Sequence, residues 1–285
     1  MTDPADRPRP RRSALYMPGA NARALEKARG LPADVLIFDL EDAVAPDAKD
    51  LARRQVAEAL RTGGYGRREL AVRINGIGTP WHEGDLAMVR GARPDAVVLP
   101  KVEDADAAGI EADGLPLWAM VETPRAILAL PRIAAAAFPV LIAGTNDLAK
   151  DLRAPLVPGR AALQTALQSL VIAARAHGRT ALDGVFNDIG DAEAMAAECA
   201  EGAALGFDGK TLIHPSQLAA ANAAFAPDAD AVRDARAVIA AFAAQPDAGV
   251  LKVDGRMTER LHLAEAQRID ALAAAIGQSD QEMSS

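Results

Sequence analysis

The sequence carries one cysteine, Cys199, in 285 residues. A lone thiol excludes an internal disulfide framework and suits a reducing compartment. Cys199 sits in the alanine-rich stretch AMAAECAEGA and reads as a packing residue. Histidine is scarce too, with four in the chain and none at the spacings that hold zinc. Positive charge is in deficit: the net charge is −8 and the pI is near 5.1, which argues against a nucleic-acid surface. No apolar run approaches the roughly 20 residues that span a bilayer. The opening MTDPADRPRPRR is polar and proline-rich and lacks the apolar core of a secretory signal, so a cytoplasmic protein is expected. No G-x-G-x-x-G follows the first apolar run, which weakens a dinucleotide-binding reading.

What the chain does have is alternation. Eight short apolar runs recur: SALYMPG (13–19), DVLIFDLED (34–42), ELAVRIN (69–75), DAVVLPK (95–101), LPLWAMVE (115–122), FPVLIAGTND (138–147), TALDGVF (180–186) and LGFDGKTLI (205–213). Helix-like stretches lie between most of them, several ending in glycine. Strands alternating with helices imply a parallel sheet, and continuously apolar strands imply burial on both faces. Eight such units in about 200 residues predict an α/β fold, a (β/α)8 TIM barrel. A C-terminal helical extension follows, with helices near 228–243 and 258–276 around a loop-like piece at 244–257. The expected division is a flexible N-terminus (1–11), the barrel (12–225), the extension (226–277), packing on the barrel or a neighbouring subunit, and a disordered tail (278–285).

Barrel active sites are built at the C-terminal ends of the strands. There the sequence places Asp39, Glu41 and Asp42 after the second strand, Arg73 and Asn75 after the third, Lys101 after the fourth and Glu122 after the fifth. Gly144, Asn146 and Asp147 follow the sixth, Asp183 and Asn187 the seventh, and Asp208, Lys210 and His214 the eighth. Glu122 and Asp147, on neighbouring strands, would repel if left unpaired. A hard divalent cation resolves that, because two carboxylates with waters and substrate oxygens commonly hold Mg2+. The competing reading is an ion pair between Glu122 and Arg73 or Lys101. Spacing alone leaves both open. Lys101 is read as holding a carboxylate or pairing with Glu103. Asp183 and Val185 are read as a substrate wall, and His214 and Trp118 as structural residues.

These motifs in order resemble the citrate lyase β-subunit-like group, which is also the group of malyl-CoA and citramalyl-CoA lyases in the HpcH/HpaI aldolase superfamily. RRSALYMPGANARALEKA, DVLIFDLEDAVAPDAK, VRIN, VVLPKVE, VETPRAI, AGTNDLAKDLR and GFDGKTLIHPSQ carry the resemblance, over roughly residues 11–275. It implies a Mg2+-dependent carbon–carbon lyase, with Mn2+ as a possible substitute. The substrate is a β-hydroxyacyl-CoA thioester such as malyl-CoA or citramalyl-CoA, cleaved to an acyl-CoA and a 2-oxo acid. Glu122 and Asp147 fall on the metal carboxylates, and Glu41 and Asp42 on the acidic pair around the metal's waters. Arg73 falls on the substrate arginine, with Glu122, Gly144, Thr145 and Asn146 as further substrate contacts. Arg12, Tyr16, Arg23 and Lys27 are candidate CoA contacts near the first strand. The resemblance also implies a homo-oligomer, a trimer or two stacked trimers. A C-terminal segment of the form GxMID supplies an aspartate to a neighbouring subunit. Here the segment is DGRMTE, and Glu259 stands at that position. A CoA-independent 2-oxo acid aldolase, a subunit acting on an acyl-carrier thioester and a non-catalytic metabolite-binding barrel are the alternatives.

Overall fold

The structure, a computed structural model, describes residues 9–283, with side chains to residue 278. Most of the N-terminal stretch 1–11 therefore lies outside the described residues, as do residues 284 and 285. The chain divides into two compact units, Arg11–Phe225 and one built around the C-terminal segment from Ala226.

The first unit is a closed barrel of eight parallel strands in sequence order. They are β1 (Ser13–Pro18), β2 (Val35–Asp39), β3 (Glu69–Arg73), β4 (Ala96–Leu99), β5 (Leu117–Val121), β6 (Val140–Ala143), β7 (Thr180–Asp183) and β8 (Gly209–Leu212). β1 pairs with both β2 and β8, which closes the ring. The helices are α1 (Ala22–Lys27), α2 (Lys49–Thr62), α3 (His82–Ala92), α4 (Pro124–Ala135), α5 (Thr145–Asp151), α6 (Gln164–Ala176), α7 (Ala192–Leu205) and α8 (Leu218–Ala224). All eight strands and the TIM barrel match the sequence expectation. Between β4 and β5 the connection has only a 3-10 turn, Ala105–Gly109.

Alternation along each strand sorts the side chains into two layers. Val35, Ile37, Ala71, Val98, Trp118, Met120, Val140 and Ile142 fill the barrel interior. Leu36, Phe38, Val72, Val97, Ala119 and Leu141 pack outward against the helices. At the N-terminal end the interior is closed by Arg11. Its guanidinium lies 5.1 Å from the centroid of the Trp118 ring and bonds Glu69 and Thr180. Trp118 is fully buried, a packing residue as read.

The second unit holds α9 (Ala229–Ala244), β9 (Val250–Val253), β10 (Arg256–Glu259) and α10 (Leu261–Met283). The piece at 244–257, read as loop-like, contains most of a two-stranded antiparallel hairpin, β9 and β10. α10 runs past residue 276 to Met283, into the stretch expected to be a disordered tail. No helix among the described residues is long and apolar enough to cross a membrane.

Candidate active site

The inward parity of the barrel strands decides what stands at its mouth. Trp118 and Met120 face inward on β5, so Glu122 continues the inward row as the strand ends. By the same parity Tyr16 follows Ala14 on β1, Asp39 follows Ile37 on β2, Arg73 follows Ala71 on β3 and Gly144 follows Ile142 on β6. Together with Asp42, Thr145, Asn146, Asp147, Val185 and Thr211, these residues line one cavity of about 310 Å3.

Arg73 is the fixed cation of this cavity and is 7% exposed. Its Nε donates to Asp39 Oδ1 at 2.7 Å and its Nη2 to Asp39 Oδ2 at 2.6 Å, a two-pronged grip on one carboxylate. Its Nη1 lies 2.9 Å from Glu41 Oε2 and 3.6 Å from Asp42 Oδ2. The Glu41 oxygen makes no hydrogen bond despite that approach, so it is paired by charge while keeping its lone pairs. The face of Tyr16 lies 4.7 Å from the guanidinium carbon. Asp39 is itself oriented by the backbone N–H groups of Glu41 and Ala43, at 2.9 and 3.0 Å.

Glu122 is 4% exposed and makes no ion pair with Arg73. Its Oε1 accepts from the backbone N–H of Lys101 at 2.7 Å. Lys101 reaches that position in a left-handed backbone conformation, φ 52°, uncommon for a side chain other than glycine or asparagine. Burial pushes the carboxyl of Glu122 up to about 7, against the pull of the Lys101 N–H and Arg73. Burial likewise pushes Glu41 up to about 7, and it pushes the phenol of Tyr16 up as well. Asp147, on the first turn of α5, has Lys101 Nζ at 3.5 Å and Lys150 Nζ at 3.9 Å.

This donor set suits a hard cation. Among the described residues no group of three or more His, Cys, Asp or Glu side chains could form a metal cage. Mg2+ takes one or two carboxylates and completes its shell with water and substrate oxygens. The buried Glu122 carboxylate, without a cationic side chain bonded to it, is the expected feature of such a site. Gly144 is part of its construction. A Cβ there would fall 2.3 Å from Glu122 Cβ and 2.4 Å from Glu122 Oε2. Gly144→Ala is therefore expected to displace the carboxylate and cost roughly 100-fold in turnover, the scale of a 1 Å misplacement. Steady-state kinetics alongside Mg2+ titration calorimetry check this, and an unchanged Mg2+ affinity would contradict it.

The comparisons agree with this architecture. A model of the HpcH/HpaI aldolase/citrate lyase family matches residues 12–215. The chain belongs to that family. Among HpcH/HpaI relatives, a (3S)-malyl-CoA thioesterase of Cereibacter sphaeroides is 48% identical over 273 residues, covering 94% of this chain and 96% of the relative. A citrate lyase subunit beta of Leuconostoc mesenteroides is 35% identical, covering 93% and 94%. A CitE protein of Mycobacterium tuberculosis, solved with magnesium, acetoacetate and coenzyme A, superimposes with a TM-score of 0.76 at 32% identity, over 92% of this chain and 97% of that one.

Within this HpcH/HpaI barrel most of the residues singled out from the sequence converge on the cavity, and several do not. Arg12 stands before β1, at the opposite end of the barrel, 4% exposed, with Nε and Nη2 on Asp34 at 2.9 and 2.8 Å. It forms a barrel-floor ion pair, because the residue before a parallel strand lies at the N-terminal end, away from the cavity. Arg23 and Lys27 are exposed on α1. Asp183 faces outward, fully buried, where Arg160 Nη1 at 2.7 Å and Lys210 Nζ at 3.0 Å neutralise it. Only Val185 of that pair lines the cavity. Lys210, also outward, is held by Asp183 and Glu198, which removes it from any chemistry at the mouth. Asp208 precedes β8 and pairs with Arg175. Lys101 pairs with Asp147 rather than Glu103, which bonds Thr123. His214 Nδ1 accepts from Ser216 N–H, so the histidine itself is the cap. Glu259 ends β10 in the C-terminal unit and is exposed. Sequence reasoning had assigned no role to Met120 or Thr211. Strand parity is the signal that finds both.

Proposed function

We propose that this chain, with Mg2+, hydrolyses a β-hydroxyacyl-CoA thioester ending in a carboxylate, malyl-CoA being the type. The observation that carries the site is the Arg73 fork, held by Asp39 beside the buried Glu122 in one cavity. The full-length likeness to a malyl-CoA thioesterase supports hydrolysis as the outcome. A second reading, carbon–carbon cleavage to an acyl-CoA and a 2-oxo acid, is favoured by the same constellation of Arg73, Glu122 and Asp147.

Glu122 and Asp147 would hold the metal, with Glu41 and Asp42 close to its waters. Bound there, Mg2+ supplies Lewis-acid polarisation of a substrate oxygen and offsets the carboxylate charge. Arg73 presents a planar, permanently charged fork to the substrate carboxylate or to the oxygen that gains negative charge. Glu41, whose Oε2 lies 2.9 Å from Arg73 Nη1, is the carboxylate to which we assign the proton transfer. In hydrolysis that proton comes from the water that attacks the thioester carbonyl, and it leaves on the departing CoA thiolate. In cleavage it comes from the 3-hydroxyl, as the bond between C2 and C3 breaks and the thioester enolate forms, and a proton returned to C2 of the enolate completes the acyl-CoA. Met120, Val185 and Thr211 form the wall against which the acyl chain lies. The resemblance assigns Glu259 a proton-transfer role in a homo-oligomer, which Glu259→Asp and Glu259→Gln kinetics test.

Malyl-CoA incubated with the protein, with Mg2+ or with EDTA, and read by mass spectrometry decides between the readings. Malate with free CoA is the expected product pair. Acetyl-CoA with glyoxylate would establish the lyase instead. No Mg2+-dependent product from malyl-CoA or citramalyl-CoA would refute both.

A further inference from the structure

Asn75, two residues past Arg73, uses every hydrogen-bonding group it has. Its backbone N–H donates to Asp85 Oδ2 at 2.9 Å. Its Nδ2 donates to Leu40 O at 2.9 Å and to Asp85 Oδ2 at 2.5 Å. Its Oδ1 accepts from Lys49 Nζ at 2.7 Å, and its carbonyl meets His82 Nδ1 at 2.9 Å. Lys49 is as fully committed. Its ammonium donates to Leu40 O at 2.8 Å, to Glu41 O at 2.7 Å and to Asn75, three donors for three acceptors. Lys49, Asn75 and Asp85 are all buried, at 6%, 2% and 1% exposure, and Arg53 Nε fixes Asp85 at 2.9 Å.

A buried ammonium is costly to desolvate, and an apolar residue would fill the same space at lower cost. What the ammonium does here is hold two successive carbonyls, those of Leu40 and Glu41. These peptides form the turn that leaves β2, with Asp39 at one end and Glu41 at the other. Asp39 grips Arg73 with two hydrogen bonds, and Glu41 pairs with it by charge at 2.9 Å. A fully satisfied buried network favours one arrangement over its neighbours, and this one is joined to the turn on one side and to β3 through Asn75 on the other.

We propose that Lys49 and Asn75 are positioning residues that set the Asp39–Glu41 turn and, through it, the orientation of the Arg73 fork. The proposal rests on the functional reading above for its kinetic arm, but its structural arm stands without it. Lys49→Met keeps the length of the side chain and removes the donor. Expected are a 10- to 100-fold fall in kcat, roughly the cost of losing an outer-shell partner, and faster hydrogen exchange at Arg73 Nε, the proton now held by Asp39. The exchange is read in 15N spectra, with the Arg73 signal assigned from Arg73→Lys. A lowered Tm with unchanged kcat below that Tm and unchanged Nε exchange would overturn the proposal, leaving a purely structural network. If Lys49→Met does not fold, Asp85→Asn takes its place, expected to produce both effects more weakly. Wild-type protein that turns over none of the thioesters would sink the functional reading, and Nε exchange alone would then decide whether the network positions Arg73.

Discussion

Glu122→Gln is expected to abolish Mg2+-dependent turnover while leaving the barrel folded. Glutamine has the shape of glutamate and keeps an oxygen for the Lys101 N–H, so packing and the hydrogen bond at 2.7 Å survive. What disappears is the charge. A Lewis-acid metal contributes several kcal/mol to the transition state, so a fall of about 1,000-fold or more in kcat/KM is the expected scale. Stability should move the other way. Burial raises the folded pKa of Glu122 to about 7, above its ordinary value of 4.5. As pH rises from about 4.5 to about 7, an unfolded chain ionises while the folded one resists. Stability from this group is thus lost over that window, and the cost is complete above it. Without metal, Glu122→Gln should match wild type near pH 4.5 and exceed it at pH 8. Mg2+ should restore the wild type at pH 8, and should raise its Tm little at pH 5.5, where protons compete for the carboxylate. Thermal melts of both proteins with Mg2+ and with EDTA at the two pH values check this. A Mg2+-induced Tm shift that survives in Glu122→Gln would remove Glu122 from the metal site.

The barrel was legible because its signal is repeated eight times, and each apolar run needs only local reading. Glu122 was legible for a related reason: a carboxylate at the end of a continuous apolar strand lies where barrels keep their chemistry. The partner of Arg73 was not. Asp39 and Arg73 are 34 residues apart, and their pairing follows from the register of β2 on β3, in which the two lie side by side. Register is a tertiary fact that spacing along the chain does not carry. The outward turn of Asp183 and Lys210 was not legible for want of parity, since each is one residue out of step with the inward row and so turns its charge to the helices. Arg12 lies a whole strand length from the mouth, because the six residues of β1 separate the two, a distance that proximity in sequence to Tyr16 does not convey. The β9–β10 hairpin escaped because it is short and largely exposed, with only the cross-strand pair Leu251 and Thr258 buried, too little to impose a clean alternation.

Arg73→Lys should be far from conservative. The guanidinium makes two parallel bonds to Asp39, reaches Glu41 with its third nitrogen and lies over Tyr16. An ammonium is a point charge on a flexible stem and cannot make that set of contacts at once. One bond to Asp39 would go, at about 1.5–3 kcal/mol for a hydrogen bond to a charged group. Asp39 and Glu41 would be left facing each other with less between them, in a site where burial already holds Glu41 near 7. The catalytic loss should be larger than that of binding, because in the proposed reaction the fork meets the oxygen that gains negative charge. A fall in kcat of about 100- to 1,000-fold is expected, as for removal of one preorganised donor, with a smaller rise in KM. Arg73→Ala offers the sharper control. Guanidinium ion added to that variant should recover part of the rate, and methylammonium at the same concentration should recover less. Equal recovery by both ions would mean that charge alone matters at this position and that the planar fork held by Asp39 does not.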